Sequence, residues 1–382
     1  MSDLSVGQPA LGQPALWRAT VLLWTALLAG CHIEPPVTGC VAAPGLTPIC
    51  GFTNPEDIEL LPDGKTLLIS QMGSMDGARP GSLAMFDIES GIITRLPQFT
   101  TDADENWGNA SCHTPPGNAF SPHGIDFFQR ADGRRELMVI NHGGRESVEF
   151  FEVLETSGMW QIAWRGCMVP PAGTYMNDVA ALPDGELLVS HMYPRDAWTV
   201  GAMNFYLLRG MLGFDTGVVL RCTRAATCKA VAGSAAPFPN GIQVDAKGNT
   251  LFLNAYLAGE VRKISLADGA LLGTAAIKGP DNSQWGPDGR LLVASHTVSA
   301  VDMSKCFETR NGACGAAFEI VEVDPATMQQ RTLLAHRGPP MGAATVAQRV
   351  DDVLYIGSFA ADRMLQAELP QPAVTPLGPR NP

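Results

Sequence analysis

One phrase recurs along this chain and constrains its fold more than any other feature. An Asp-Gly or Lys-Gly turn is followed at once by a short apolar, β-prone run. The phrase occupies residues 61–70, 131–142, 182–191, 245–254 and 286–296, with a degenerate copy at 349–358. A glycine turn feeding such a run is a hairpin signal. The apolar runs begin 40 to 70 residues apart, which suits units of four short strands plus loops. The expected fold class is all-β, a six-bladed β-propeller.

What precedes each turn supports the repeat. Seven residues before it lie Glu56, Asn177, Asn240 and Asp281 in four copies. His123 takes the same slot in the second copy, whose turn is two residues longer, and Ala344 takes it in the sixth. Equivalent positions in a propeller sit at equivalent radius and height. Five polar side chains are therefore expected to meet on the central axis. Glu56, Asn177, Asn240, Asp281 and its neighbour Asn282 offer carboxylate and amide oxygens only. Oxygen donors from separate blades suit Ca²⁺, which accepts six to eight at loose geometry. Zinc would call for histidine or cysteine. The competing reading is a hydrogen-bonded polar plug, in which two facing carboxylates without a cation would repel.

Six motifs carry a resemblance: Asn54-Pro-Glu-Asp-Ile-Glu-Leu60, Ser121-Pro-His-Gly-Ile125, Val139-Ile-Asn-His142, Met176-Asn-Asp-Val179, Pro239-Asn-Gly-Ile242 and Pro280-Asp-Asn282. In this order, with His123 and His142 nineteen residues apart, the set resembles the paraoxonase family of calcium-dependent lactonases and arylesterases. It extends over nearly the whole mature chain. The resemblance implies two calcium ions. Glu56, Asn177, Asn240, Asp281 and Asn282 would hold a catalytic one, and Asp57, Asp178 and the main-chain carbonyl of Ile125 a structural one. It also implies a His123/His142 dyad. The ion would polarise an ester or lactone carbonyl, and either His123 oriented by His142 or a carboxylate would activate water. The adjacent pairs Glu56-Asp57 and Asn177-Asp178 fit two layers, because strand neighbours point to opposite faces. A gluconolactonase-type sugar-lactone hydrolase with one metal, or a non-catalytic binding propeller, are the rival readings. Metal stoichiometry separates the three.

The chain's ends address location. An apolar run at 21–30 follows Arg18 and is short for a membrane span, as in export signals. Leu28-Ala29-Gly30-Cys31 matches the bacterial lipobox. Residues 1–30 are thus expected to be a lipoprotein signal peptide, and 31–50 a lipidated Cys31 with its linker. Residues 51–370 form the propeller, and 371–382 a tail. His32, not Asp, follows the cysteine, which points to the outer membrane, facing the periplasm, with the lipid as the membrane contact. Export fits the cysteines: without Cys31 eight remain, an even number suited to disulfides. Short loops make Cys222–Cys228 and Cys306–Cys314 the easiest pairs. Acidic residues number 38 against 26 basic, for a net charge of −12, which argues against a nucleic-acid partner. The small-molecule partner expected is an ester or lactone. Residues 193–213 break the strand pattern: Trp198, Met203, Phe205, Leu207, Leu208 and Met211 would give a helix a broad apolar face. The resemblance implies that such a helix, one of one or two, lies near the mouth, as a lid or interfacial surface; the other reading is a helix that simply packs on the blades.

Overall fold

The computed structural model describes residues 36–369, apart from 75–77, 97–98, 102–106, 198 and 201–202. Cys31, the signal and the tail lie outside the described residues. Six four-stranded antiparallel sheets follow one another along the chain, one of them extended by a short parallel strand at Thr100–Thr101. They are the six blades of a β-propeller. The innermost strands are Pro55–Leu60, Pro122–Gln129, Met176–Ala181, Pro239–Val244, Pro280–Trp285 and Ala344–Val350. Apolar side chains of neighbouring blades interlock between the sheets, for example Leu68 and Leu83 of blade 1 with Ile125, Leu137 and Phe151 of blade 2.

The repeated phrase is the turn between the first and second strands of each blade. Gly64, Gly133, Gly185, Gly248 and Gly289 all have φ between 67° and 86°, the left-handed region that favours glycine. The preceding aspartates close the turns from the side chain: Asp63 Oδ1 accepts from the amides of Lys65 and Thr66, an Asx turn. Blade 6 instead turns tightly through Asp351 and Asp352. Counting back from that turn lands one residue early. The residue in register with Glu56 is therefore Thr345, not Ala344.

Blade 6 is closed by the N-terminal side of the chain. Leu46–Cys50, expected in the linker, pairs antiparallel with Arg363–Glu368 as its outermost strand. The run is too short and too exposed on one side to read as a strand without its partner. Arg363, fully buried, donates to the carbonyls of Val37, Gly39 and Pro340 and pins the segment ahead of that strand. All eight cysteines pair, as Cys40–Cys50, Cys112–Cys167, Cys222–Cys228 and Cys306–Cys314. The two short-loop pairs are those expected.

Trp198 lies outside the described residues. Among the described residues of 193–213, Thr199–Val200 and Met203–Asn204 make a two-stranded ribbon, and only Phe205–Met211 is an α-helix. Asn204 caps it, its side chain accepting from the Leu207 amide at 2.7 Å. A second α-helix, Ala300–Cys306, is capped by Ser299. No helix among the described residues is long and apolar enough to cross a membrane.

Candidate active site

Each innermost strand carries a β-bulge at its start, between Pro55 and Asp57, Pro122 and Ile125, Met176 and Val179, Pro239 and Ile242, Pro280 and Ser283, and Ala344 and Val346. A bulge breaks the simple alternation of faces. Both members of a pair can then turn inward, which plain strand geometry would forbid. Asp281 and Asn282 show the result. Asp281 lines the axial cavity, while Asn282 donates to Glu56 Oε1 across the ring at 2.9 Å. The pairs are thus separated by a repeated bulge, not by the strand alternation invoked from sequence.

The cavity at this end of the axis measures about 410 Å³. Glu56, His123, Asn177, Asn240, Asp281 and Thr345, one residue per blade, form its floor. Its walls are apolar and aromatic. Leu207 and Met211 of the first helix and Met303 of the second reach into it, beside Tyr193, Phe238 and Phe359. Phe205, Leu208, Leu212 and Phe214 around the first helix stay exposed, as do Val301 and Phe307 at the second. A larger cavity, about 640 Å³, lies by the Asp-Gly turns, bordered by Asp126, Arg130 and Arg224. Both arginines there are engaged with the buried Glu136, and the repeat-derived polar ring is absent from its lining. The smaller cavity holds the chemistry.

Four buried oxygens find no hydrogen-bond partner, three on the floor and one beside it: Glu56 Oε2 and the Oδ1 atoms of Asn177 and Asn240, and Oδ1 of Asn282, which contacts Glu56. Buried polar atoms are normally satisfied, so four orphans in one place mark a site for a group that accepts oxygen donors. The charges agree. Burial, and then the nearby Asp57, Asp281 and Asp178, push the Glu56 carboxyl well above the usual range. Burial raises Asp281 to about 7, against a lowering hydrogen bond from Asn240. Carboxylates this crowded and dry cannot all stay ionised without a cation. No group of three or more His, Cys, Asp or Glu among the described residues could hold a metal by itself. The asparagine amides would complete an oxygen donor set, the kind that suits Ca²⁺.

One layer down, Asp57 and Asp178 act as brackets between blades. Asp57 Oδ2 accepts from the Ile125 amide of blade 2 at 2.8 Å, and Asp178 Oδ2 from the Ile242 amide of blade 4 at 2.7 Å. Their other oxygens accept from Ile58 and Val179. Burial still raises Asp57 to about 7 and Asp178 well above its ordinary value. In an antiparallel strand a residue's N–H and C=O point the same way, so the Ile125 carbonyl also faces this layer. Close approach between neighbouring blades explains two glycines. A Cβ on Gly124 would lie 2.5 Å from Asp178 Oδ1, and one on Gly241 2.5 Å from the Asp281 carbonyl.

His123 and His142 meet, with Nδ1 of His123 3.0 Å from Nε2 of His142. His123 Nε2 stands on the cavity side, 3.6 Å from Glu56 Oε1. Burial, then the neighbouring His142, holds His123 well below its ordinary value, so it is a neutral imidazole. Three neighbours were not read from the sequence. Glu146 lies 2.9 Å from His142 Nδ1, Arg195 pairs with Glu146, and Tyr256 OH lies 2.9 Å from His296 Nδ1. His296, the last residue of strand Leu291–His296, lines the cavity with its Nε2 3.5 Å from Asp281 Oδ2. Burial holds it near 4.

Solved structures resemble the chain at low identity. The chain is 16% identical to a gluconolactonase from Xanthomonas campestris, with 90% of this chain and 96% of that one covered at a TM-score of 0.47. It is 12% identical both to a luciferin-regenerating enzyme (84% and 92% covered, TM-score 0.49) and to regucalcin, a calcium-binding protein from Agrobacterium tumefaciens (84% and 92%, TM-score 0.46). No curated protein matches the chain. A family model, Arylesterase, matches residues 50–369, which span all six blades and every residue of the site. The chain belongs to the arylesterase family, hydrolases of the esterase and lactonase type.

Proposed function

We propose that the chain is a calcium-dependent hydrolase of lactones and aryl esters. The observation that carries this reading is the set of four buried, partnerless oxygens at and beside the cavity floor, next to a neutral histidine. Glu56, Asn177, Asn240, Asp281 and Asn282 would hold the catalytic ion. Asp57, Asp178 and the Ile125 carbonyl would hold a second, structural one. When bound, calcium supplies a Lewis acid for the substrate carbonyl and for the negative charge that grows on its oxygen.

The protein's own groups do the rest. Aromatic and apolar walls take the acyl or aryl part and keep bulk water out. His123 Nε2 takes the proton from the attacking water and returns it to the departing alkoxide or phenoxide oxygen. Glu56 and Asp281 are the two carboxylates of the floor and anchor the ion. Asp281→Ala should lower metal content by one ion per chain and abolish turnover of every lactone and aryl ester, while the fold survives. Full activity in that variant would sink the reading. So would a wild type inactive across a lactone and aryl-ester panel with calcium present.

A further inference from the structure

We propose that Glu146 completes a three-membered proton relay, Glu146–His142–His123, and is the positioning residue that makes His123 a base. The inference rests on the hydrolase reading above. Its geometry is independent of the ion. His123 Nδ1 lies 3.0 Å from His142 Nε2, and His142 Nδ1 lies 2.9 Å from Glu146 Oε2. An ionised carboxylate only accepts hydrogen bonds. The proton in the second contact therefore sits on His142 Nδ1. With its one ring proton placed there, His142 is bare at Nε2 and accepts from His123, whose proton is then on Nδ1. The unprotonated nitrogen of His123 is Nε2, the one on the cavity side near Glu56.

Glu146 is held for this task from three directions. Its Oε1 accepts from the Met176 amide at 2.7 Å. Its Oε2 also pairs with Arg195, whose Nη2 donates to the His142 carbonyl at 3.0 Å. Arg195 is placed in turn by its amide, which donates to Gly173, and by packing over Tyr175. One guanidinium thus ties the carboxylate and the histidine together. The link between His142 and Glu146 is short and tightly packed: a Cβ on Gly143 would collide with the Ala119 carbonyl.

In the reaction His123 Nε2 removes a proton from water while the water oxygen bonds to the carbonyl carbon. The positive charge on the His123 ring is then stabilised through His142 by the Glu146 carboxylate, which stays ionised, as in a serine-protease triad. The leaving oxygen takes the proton back as its bond to the carbonyl carbon breaks, and the relay returns to its starting state.

Glu146→Gln tests the relay. The Met176 amide still requires an oxygen, so the new NH₂ group faces His142 Nδ1. Both tautomers must then reverse, leaving His123 Nε2 protonated. We expect kcat to fall about 10²- to 10⁴-fold, with KM and calcium content within about twofold of wild type. In a His123→Gln background the same change should cost nothing more. A kcat within about threefold of wild type, or an equal loss in both backgrounds, overturns the relay. ¹⁵N spectra of histidine-labelled wild type give a second reading without substrate or variant. They should show His123 and His142 protonated on Nδ1, and an Nε2–H tautomer at either overturns the proposal even if Glu146→Gln fails to fold. A wild type that hydrolyses nothing defeats the hydrolase reading, while these spectra still decide the relay.

Discussion

Removing metal should reverse the usual dependence of stability on pH. Burial raises Asp57 and Asp281 from 3.8 to about 7 in the metal-free fold, and Asp126 to about 6. The unfolded chain loses these protons near pH 4, and the folded chain holds them until about 6 at Asp126 and about 7 at Asp57 and Asp281. Between those values the folded state binds more protons, so stability falls as pH rises. Each group contributes up to about 1.4 kcal/mol per pH unit. Two groups titrating together give about 3 kcal/mol per unit. With an unfolding entropy of about 2.1 cal/mol/K per residue over roughly 330 residues, that is about 4 °C per pH unit. The assay is calorimetry between pH 5 and 7.5 on protein stripped by dialysis against chelator, beside calcium-loaded protein. Bound calcium keeps the carboxylates ionised, which depresses their folded-state values. The loaded protein should therefore lose stability as pH falls, and the gain in Tm from calcium should be largest at the alkaline end. A metal-free Tm that is flat or rises between pH 5 and 7.5 refutes the reasoning.

Asp178→Ala removes the bracket to Ile242 together with a ligand proposed for the structural ion. It should lower Tm by calorimetry and remove one calcium per chain, and excess calcium should recover little; the unpaired amide alone costs about 1–3 kcal/mol. We also propose that Cys31 is lipidated and tethers the protein to the outer membrane. Cys31→Ser should then move it from the membrane pellet to the soluble periplasmic fraction on fractionation, and unchanged pelleting would count against the tether.

The blades and five floor positions were legible because a propeller repeats one geometry. The turn needs a positive-φ glycine, and the residue at a fixed distance before it always reaches the axis. The rule failed where the geometry changed. Blade 6 turns without the Asp-Gly phrase, and the count missed Thr345 by one. The Leu46–Cys50 strand depends on a partner over three hundred residues away. The segment ahead of Phe205 is ribbon rather than helix, although its composition suits either. Glu146 was illegible for another reason. It is one of several glutamates near that strand, with Glu149, Glu152 and Glu155 close behind, and only the folded loop shows which of them meets His142.

The six floor dipeptides divide chemistry from closure. Glu56-Asp57, His123-Gly124, Asn177-Asp178, Asn240-Gly241, Asp281-Asn282 and Thr345-Val346 each sit at the bulge of an innermost strand. The first residue of each pair lines the cavity. The second, in blades 1 to 4, alternates aspartate with glycine. Each aspartate reaches the next blade's innermost strand, and each glycine leaves room for the blade beyond: Gly124 for Asp178, Gly241 for Asn282. A change at a first position alters what the cavity binds without loosening these brackets. A change at a second position in blades 1 to 4 strains the ring. Asp281→Ala and Asp178→Ala should therefore fail in different ways, the first in turnover with the fold kept, the second in melting. If both failed in melting alone, the two layers would be one structural plug, and the cavity floor would have no separate chemistry.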